Sequence, residues 1–194
     1  MKKIILDFLY WLLMERKGWK LENKLDTSIK RYVLLSIPHT SNWDAVHGIL
    51  FFHKIKLPVK FAIKIEWMKF PFKGIFESVG AMGIDRGAGK SGKKSAVEAM
   101  VDLFKEHNDL IICVTPEGTR KPVKKWKTGF YHVAVGAKVP IAIGILDYKN
   151  KVGLIEKFVY PSGDMEKDMR EILSYYNKSQ AKFPDNFELD ERYK

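Results

Sequence analysis

Short apolar runs alternate with amphipathic stretches along most of the chain. The apolar runs, which are typical of buried strands, lie at 32–37, 58–63, 79–84, 110–114, 140–146 and 152–160. Helical spacing of apolar residues follows several of these runs, at 42–53, 66–78, 92–107, 128–137 and 164–179. Because strands and helices alternate, the pattern predicts a single α/β domain with a largely parallel mixed sheet flanked by helices.

The N-terminal segment predicts an additional helix over 3–15. Residues 4–14 are apolar except for Asp7, and basic residues flank them on both sides. A helix of 11 residues is about 17 Å long, which is too short for the ~30 Å hydrocarbon core of a membrane. No small-residue cleavage site follows, as a signal peptide would require. The helix either packs on the domain or lies in a membrane interface, and the nearby aromatic and basic residues favour the interface.

These patterns predict three parts of the chain. Residues 1–20 form a membrane-interface helix, residues 21–183 form the main domain, and residues 184–194 form a surface tail. Lysines at intervals over 54–73 interleave with apolar residues. They are either a solvated edge whose aliphatic stems cover apolar surface, or a cation-rimmed surface that faces a membrane or an acyl chain. We favour the second interpretation for the group.

The chain is strongly basic, with 34 basic and 23 acidic residues and a formal charge of +11. This balance favours an anionic partner, which could be nucleic acid, an anionic membrane, a phosphorylated substrate or an acidic carrier protein. The single cysteine, Cys113, excludes an internal disulfide and a cysteine-rich zinc site. Since it lies in an apolar run, we expect a buried structural thiol.

A polar turn, 38-PHTSNWDAVHG-48, joins the first apolar run to the helix that follows it. On one continuous helix His39 and Asp44 would lie about 140° apart. They can meet only if the helix begins between them, capped by Ser41 or Asn42. Strand ends of this kind are where α/β proteins carry their functional sites.

Two further strand ends each carry an arginine. Arg86 ends 80-GAMGIDR-86, and Arg120 lies in 115-TPEGTRK-121. The planar guanidinium group suits the oxygens of phosphate or carboxylate, and a glycine allows close approach of a ligand. The alternatives are a surface ion pair with Asp85 and an internal pair between Glu117 and Arg120.

Two other patterns resemble functional sites but lack residues that those sites need. Residues 87–95 resemble a phosphate-binding loop, but Lys94 occupies the position that needs Ser or Thr. A basic loop that caps the next helix explains its glycines more simply. A metal site from His39, Asp44 and His47 would need unusual geometry, so we expect no metal.

The ordered set of motifs is more specific than any one of them. It comprises H-x-x-x-x-D at 39–44, G-x-x-x-I-D-R at 80–86, E-G-T-R at 117–120 and Val139-Pro140-Ile141. In order and spacing these resemble the four blocks of the glycerolphosphate and lysophosphatidate acyltransferase family, over about residues 32–146. Residues 124–134 also resemble the lysine–glycine stretch of that family. Thr115 and Lys121 depart from its usual pattern.

This resemblance implies transfer of a fatty acyl group from acyl-CoA or acyl-carrier protein to a hydroxyl of a lysophospholipid, first of all 1-acyl-glycerol-3-phosphate. Another lyso-lipid, such as a lyso-aminolipid, is the alternative acceptor. The resemblance implies no cofactor beyond the thioester co-substrate. It also implies a location in the cytoplasm, peripheral on the inner face of the cell membrane.

The resemblance assigns roles to individual residues. His39 would be the general base, and Asp44 would orient its imidazole. The implied substrate-binding residues are Arg86, Glu117, Gly118, Thr119, Arg120, Lys127 and Pro140. Pro140 and Ile141 would shape the acyl pocket.

Two non-catalytic alternatives remain at this point. The charge and the lysine–aromatic interleaving also suit a nucleic-acid-binding module. That function would leave His39, Asp44 and Glu117 unexplained, so no nucleic acid is expected. The second alternative is a lipid-binding relative without catalysis.

Overall fold

The computed structural model of the protein describes residues 2–64, 68, 73–78, 80–84 and 95–194. The helices are α1 (Lys2–Leu13), α2 (Asn42–Lys54), α3 (Lys73–Ser78), α4 (Ala96–Glu106), α5 (Gly129–Ala137) and α6 (Met165–Leu173). The strands are β1 (Lys20–Asn23), β2 (Arg31–Ile37), β3 (Val59–Lys64), β4 (Ala81–Ile84), β5 (Leu110–Val114), β6 (Ile141–Asp147) and β7 (Val152–Val159).

The seven strands form one mixed sheet in the order β1-β7-β6-β2-β5-β3-β4. Every neighbouring pair is parallel except β6 and β7, which are antiparallel. The predicted α/β fold with a largely parallel sheet is confirmed. The apolar pattern does not reveal β1, because its sequence KLEN holds a single apolar residue, half-buried Leu21, at the sheet edge.

Both faces of the sheet are covered, which explains the continuous apolar runs of its central strands. Leu35, Ile112 and Ile143 pack on the face that holds α4, α5 and α6. Leu34 and Ile111 point to the opposite face, against Phe51 of α2. Cys113 is buried on that second face, as predicted.

Several predicted helix bounds were too wide. α4 begins at Ala96 because Ser95 caps it, in a capping box with Glu98. α6 ends at Leu173, and a short 3-10 turn over Lys178–Gln180 follows it. Of residues 87–95, which resemble a phosphate-binding loop, only Ser95 lies within the described residues. Most of 66–72 also lies outside them.

α1 packs on the domain with one face and exposes apolar side chains on the other. Tyr10 and Met14 are buried beside Leu50 and Trp19. The opposite face carries an α1 stripe of four exposed side chains: Ile4 (72%), Ile5 (54%), Phe8 (56%) and Trp11 (45%). The packed arrangement is therefore present, and it leaves the α1 stripe free to meet a membrane interface. None of the helices described has both the length and the hydropathy to cross a bilayer.

The sequence predicts that residues 184–194 lie free on the surface, but the segment packs against the domain. Phe187 is buried in the main core. The fully buried carboxylate of Asp190 accepts hydrogen bonds from the Trp126 N–H (2.9 Å) and from Arg192. The acidic, polar sequence of this segment is typical of an exposed tail. Asp190 is buried instead, and its hydrogen bond from the Trp126 backbone N–H joins the segment to the loop that leads into α5.

Two lysines of the 54–73 segment make separate side-chain contacts. The Lys54 ammonium lies 4.6 Å from the centroid of the Tyr10 ring, and Lys73 lies 3.8 Å from Glu77. Both contacts fit the solvated-edge interpretation. The side chain of Lys64 and all of Lys69 lie outside the described residues.

Candidate active site

The polar turn after β2 brings His39 and Asp44 together. α2 begins at Asn42, and Ser41 is its N-cap, whose hydroxyl accepts a hydrogen bond from the Trp43 N–H (3.1 Å). The helix thus begins between the two residues, as predicted. His39 Nδ1 lies 3.5 Å from Asp44 Oδ2, with side-chain exposures of 22% for the histidine and 3% for the aspartate.

Both oxygens of the Asp44 carboxylate are held. Oδ2 accepts hydrogen bonds from the backbone N–H groups of Thr40 (2.6 Å) and Ser41 (2.7 Å). Oδ1 accepts one from the hydroxyl of Tyr148 (2.8 Å). Asp44 is therefore both the carboxylate partner of His39 and half of the capping box that starts α2. Sequence reasoning missed Tyr148, since nothing local links residue 148 to residue 44.

Glu117 fixes the backbone of His39 from the neighbouring strand end. Its Oε1 accepts a hydrogen bond from the His39 N–H (2.9 Å), and the side chain is buried. Oε2 is buried too and has no hydrogen-bond partner among the described residues. Burial raises the pKa of Glu117 to about 7, against the lowering effect of the backbone hydrogen bonds that it accepts.

The internal Glu117–Arg120 pair considered from the sequence does not form. Glu117 faces the His39 backbone, whereas Arg120 is exposed and has no carboxylate partner within the described parts of the chain. Thr119 Oγ1 accepts a 3.3 Å hydrogen bond from the Lys121 N–H and so shapes the loop. Arg120 thus lies exposed on the loop that follows Glu117.

Gly118 allows the side chain of Lys127 to lie against this loop. Its φ is +64°, in the region that favours glycine. A Cβ added there would come within 2.9 Å of Lys127 Nζ. The Lys127 N–H also donates to the Pro116 carbonyl (2.9 Å), which ties the loop to the segment before α5. The glycine therefore places a cation beside the strand end.

Two adjoining cavities open near His39. One has a volume of about 160 Å³ and is lined by His39 and Asp44, with Phe61 and Cys113 on its walls. The other, which we call the apolar groove, has a volume of about 300 Å³ between α4 and α5. Ala62, Val114 and Thr115 line both cavities. A ligand could therefore reach from His39 into the apolar groove.

The groove is apolar along most of its length. Its walls include Val97 and Met100 of α4 and Phe130 of α5, and Lys127 is the cationic side chain that lines it. Such a surface suits a hydrocarbon chain whose polar end is near a positive charge.

Two predicted substrate-binding residues are not brought to this site by the described structure. Arg86 lies outside the described residues. Pro140 precedes β6 at the edge where β2 begins, with its carbonyl accepting from the Val33 N–H (3.1 Å). The register pairs Val33 with Ile141, so Pro140 is roughly 20 Å along the strands from the His39 end. Neither Pro140 nor Ile141 lines the two cavities near His39, and the buried Ile141 belongs to the core. Their role in an acyl pocket stays a prediction.

The other histidine of α2 is occupied elsewhere. His47 Nδ1 donates to the Trp43 carbonyl (2.8 Å), and its ring contacts Trp19. Burial is the main cause that lowers the pKa of His47. Within the described ranges, no group of three histidine, cysteine or acidic side chains is placed to hold a metal ion.

Comparisons with known proteins agree with this geometry. A family model described as acyltransferase matches residues 20–143. The fold is similar to the crystal structure of the 1-acyl-sn-glycerophosphate (LPA) acyltransferase PlsC from Thermotoga maritima, with a TM-score of 0.57 and 17% sequence identity. That similarity covers 89% of this chain and 75% of the other. No curated protein matches this sequence.

We expect Glu117→Gln to change how stability depends on pH. The folded-state pKa of Glu117, about 7, lies above the ordinary 4.5. Its bound proton therefore stabilises the fold fully below about pH 4.5, and this contribution is lost as the pH rises to about 7. The free energy of unfolding of the wild type, relative to Glu117→Gln, should fall over that range by up to about 3 kcal/mol. Urea denaturation at several pH values measures this difference.

The exposed Glu106 provides the matched control. Glu106→Gln should show no such trend relative to the wild type. A Glu117→Gln difference that stays constant from pH 4.5 to 7.5 would contradict the assignment of a raised pKa.

Proposed function

Because the chain belongs to the acyltransferase family, we propose that it moves a fatty acyl group from a thioester to a hydroxyl of a lysophospholipid, with 1-acyl-glycerol-3-phosphate as the first candidate. The donor is acyl-CoA or an acyl-carrier protein. The observation that carries this proposal is the 3.5 Å contact of His39 Nδ1 with Asp44 Oδ2, beside a cavity that adjoins the apolar groove.

In the proposed reaction His39 is the general base. With Nδ1 turned to Asp44, Nε2 is the nitrogen left to accept the proton of the acceptor hydroxyl. The hydroxyl oxygen attacks the thioester carbonyl carbon, a C–O bond forms and the C–S bond breaks. The proton then passes from His39 to the departing thiolate, so the products are an ester and a free thiol. No protein nucleophile is required.

The apolar groove is the proposed acyl site. Its wall residues Val114 and Thr115 also border the His39 cavity, so a chain seated in the groove would present its carbonyl near His39. Lys127 at the groove could contact the anionic part of either substrate. This arrangement uses binding energy along the chain to position the reacting carbonyl.

Arg120 is the proposed ligand of the acceptor phosphate. It is exposed, it lies three residues beyond Glu117 on the same loop, and it has no acidic partner in the described structure. Arg86 is proposed to share this role on the sequence motif alone. The similar crystal structure carries the name of a 1-acyl-sn-glycerophosphate acyltransferase, which supports a phosphate-bearing acceptor. A neutral or zwitterionic lyso-lipid would make less use of these arginines.

The α1 stripe is the proposed membrane contact, on the inner face of the cell membrane. Its four apolar side chains project away from the domain. Lys2 and Lys3 precede it, and Arg16 lies 5.3 Å from the centroid of the Trp11 ring. An apolar face between cations suits a helix lying at an anionic bilayer surface. Such attachment would bring the site to its lipid acceptor.

Replacing the proposed base should abolish most turnover. We expect His39→Gln to lower kcat by roughly 10²–10⁴-fold, since a positioned general base contributes about that much. Thiol release from palmitoyl-CoA in the presence of lysophosphatidate measures it. His132, which is exposed on α5, is the matched control, and His132→Gln should retain wild-type turnover. Wild-type turnover in His39→Gln would end the assignment of the base.

Removing the proposed phosphate ligand should act mainly on acceptor binding. We expect Arg120→Ala to raise the KM for lysophosphatidate roughly tenfold, with a smaller change in kcat, because a charge-assisted contact to phosphate is lost. Arg170→Ala, at an exposed helical ion pair, should leave KM unchanged. An unaltered KM in Arg120→Ala would argue against a phosphate contact.

Polar substitutions in the α1 stripe should weaken membrane binding. Phe8→Ser with Trp11→Ser should reduce partitioning onto phosphatidylglycerol-containing vesicles at least roughly tenfold, since two exposed aromatic side chains are removed. Vesicle sedimentation measures this. Val135→Ser with Tyr160→Ser removes exposed apolar residues from other surfaces and should leave partitioning unchanged. Equal losses in both double variants would show that the α1 stripe is not a specific contact.

A further inference from the structure

The hydroxyl of Tyr148 lies on the far side of the Asp44 carboxylate from His39. It donates to Asp44 Oδ1 at 2.8 Å, while Oδ2 is the oxygen that faces His39 Nδ1. Tyr148 directly follows β6, and its N–H donates to the Gln180 carbonyl (2.9 Å). The hydroxyl is thus carried by a fixed backbone.

The neighbouring groups leave one direction for the hydroxyl proton. His47 Nδ1 lies 3.3 Å from the Tyr148 oxygen, but that nitrogen already donates to the Trp43 carbonyl. A carboxylate only accepts hydrogen bonds, so the Tyr148 O–H must be directed at Asp44. Burial, followed by the charge of Asp44, raises the pKa of Tyr148. The hydroxyl therefore keeps its proton, and remains a donor, at a pH where an ordinary tyrosine would ionise.

We propose that Tyr148 is a positioning residue for the acyl transfer: its hydroxyl fixes the Asp44 carboxylate so that Oδ2 holds the His39 imidazole with Nδ1 protonated and Nε2 free. This inference rests on the proposed function of His39. Oδ2 already accepts two backbone hydrogen bonds beside its contact with the imidazole. Oδ1, on a side chain that is 3% exposed, receives its bond from Tyr148.

Without the hydroxyl, Oδ1 would be a buried acceptor without a donor. Such a group gains by rotating toward another donor or toward water. Rotation about Cβ–Cγ would move Oδ2 as well, and with it the partner of Nδ1. The fraction of protein molecules in which the His39 proton is on Nδ1 should then fall. Nε2 would be less often free to act as a base.

The ring of Tyr148 has a separate packing role that phenylalanine would keep. It makes an edge contact with Trp19, with centroids 5.1 Å apart, and the Lys182 ammonium lies 5.5 Å from its centroid. Tyr148→Phe therefore removes the hydroxyl and preserves these contacts. If Tyr148 acts only through packing, Tyr148→Phe should behave as the wild type.

Tyr131 provides a matched control within the same chain. Its hydroxyl also donates to a buried carboxylate, Asp168 Oδ2, at 2.7 Å. That pair links α5 to α6 and lines neither cavity near His39. Tyr131→Phe thus reports the general effect of losing a tyrosine–aspartate hydrogen bond.

The first measurement is steady-state thiol release with palmitoyl-CoA and lysophosphatidate. Tyr148→Phe should lower kcat roughly tenfold and change each KM less than about twofold, since a hydrogen bond to a charged group is lost away from the substrates. Tyr131→Phe should keep the wild-type kcat. In a His39→Gln background, Tyr148→Phe should cause no further loss, because it acts through His39.

The second measurement needs no turnover. Long-range ¹H–¹⁵N correlation spectra report which imidazole nitrogen carries the proton, and His39→Gln identifies the signals of His39. In the wild type above neutral pH, His39 should be mainly protonated on Nδ1. In Tyr148→Phe the share protonated on Nε2 should increase, and in Tyr131→Phe it should not.

The two measurements separate failure of this inference from failure of the proposed function. Wild-type turnover in His39→Gln, or no thiol release from either palmitoyl-CoA or a palmitoyl-carrier protein, would count against the proposed function, and the tautomer spectra would still test Tyr148. If His39→Gln is inactive while Tyr148→Phe keeps the wild-type kcat, the positioning role is overturned. An unchanged tautomer in Tyr148→Phe would overturn it as well.

Discussion

The carboxylate of Asp44 is the interaction on which the rest of the site depends. As the third residue of α2 it accepts the N–H groups of Thr40 and Ser41, which keeps the turn after β2 in place. The same oxygen faces His39 Nδ1. A capping box is usually a local device that satisfies helix N–H groups. Here it also sets the distance between a histidine and an acid, so helix formation and the proposed chemistry share one group.

The parallel sheet explains why other parts of the chain converge on this carboxylate. β2 and β5 are parallel neighbours, so their carboxyl ends meet at one edge. Glu117 reaches from the end of β5 to the His39 backbone, and Tyr148 reaches Asp44 from the end of β6. The buried, half-satisfied carboxyl of Glu117 is costly for stability. The same carboxyl holds the backbone N–H of His39, the residue that we propose as the base.

Local patterns were enough to predict the strand–helix alternation and the helix start between His39 and Asp44, since apolar period and capping act over a few residues. Long-range packing decided the rest. The hydrogen bond from Tyr148 joins two residues that are far apart in the sequence, so no local pattern predicts it. The motif that contains Pro140 likewise does not show that this residue precedes its strand. The C-terminal segment looked exposed because its sequence is polar, yet the buried Asp190 has donors that only the folded structure supplies.

Direct acyl transfer at the strand edge that holds His39 is the central proposal for this protein. The most direct measurement is the balance of products made by the wild type from palmitoyl-CoA and lysophosphatidate, with free thiol and acylated lipid quantified together and the protein checked by mass spectrometry. Direct transfer predicts equal amounts of thiol and diacyl product, little thiol without the acceptor, and no acylated protein. Thiol release that does not need the acceptor, or a covalent acyl-protein, would contradict it.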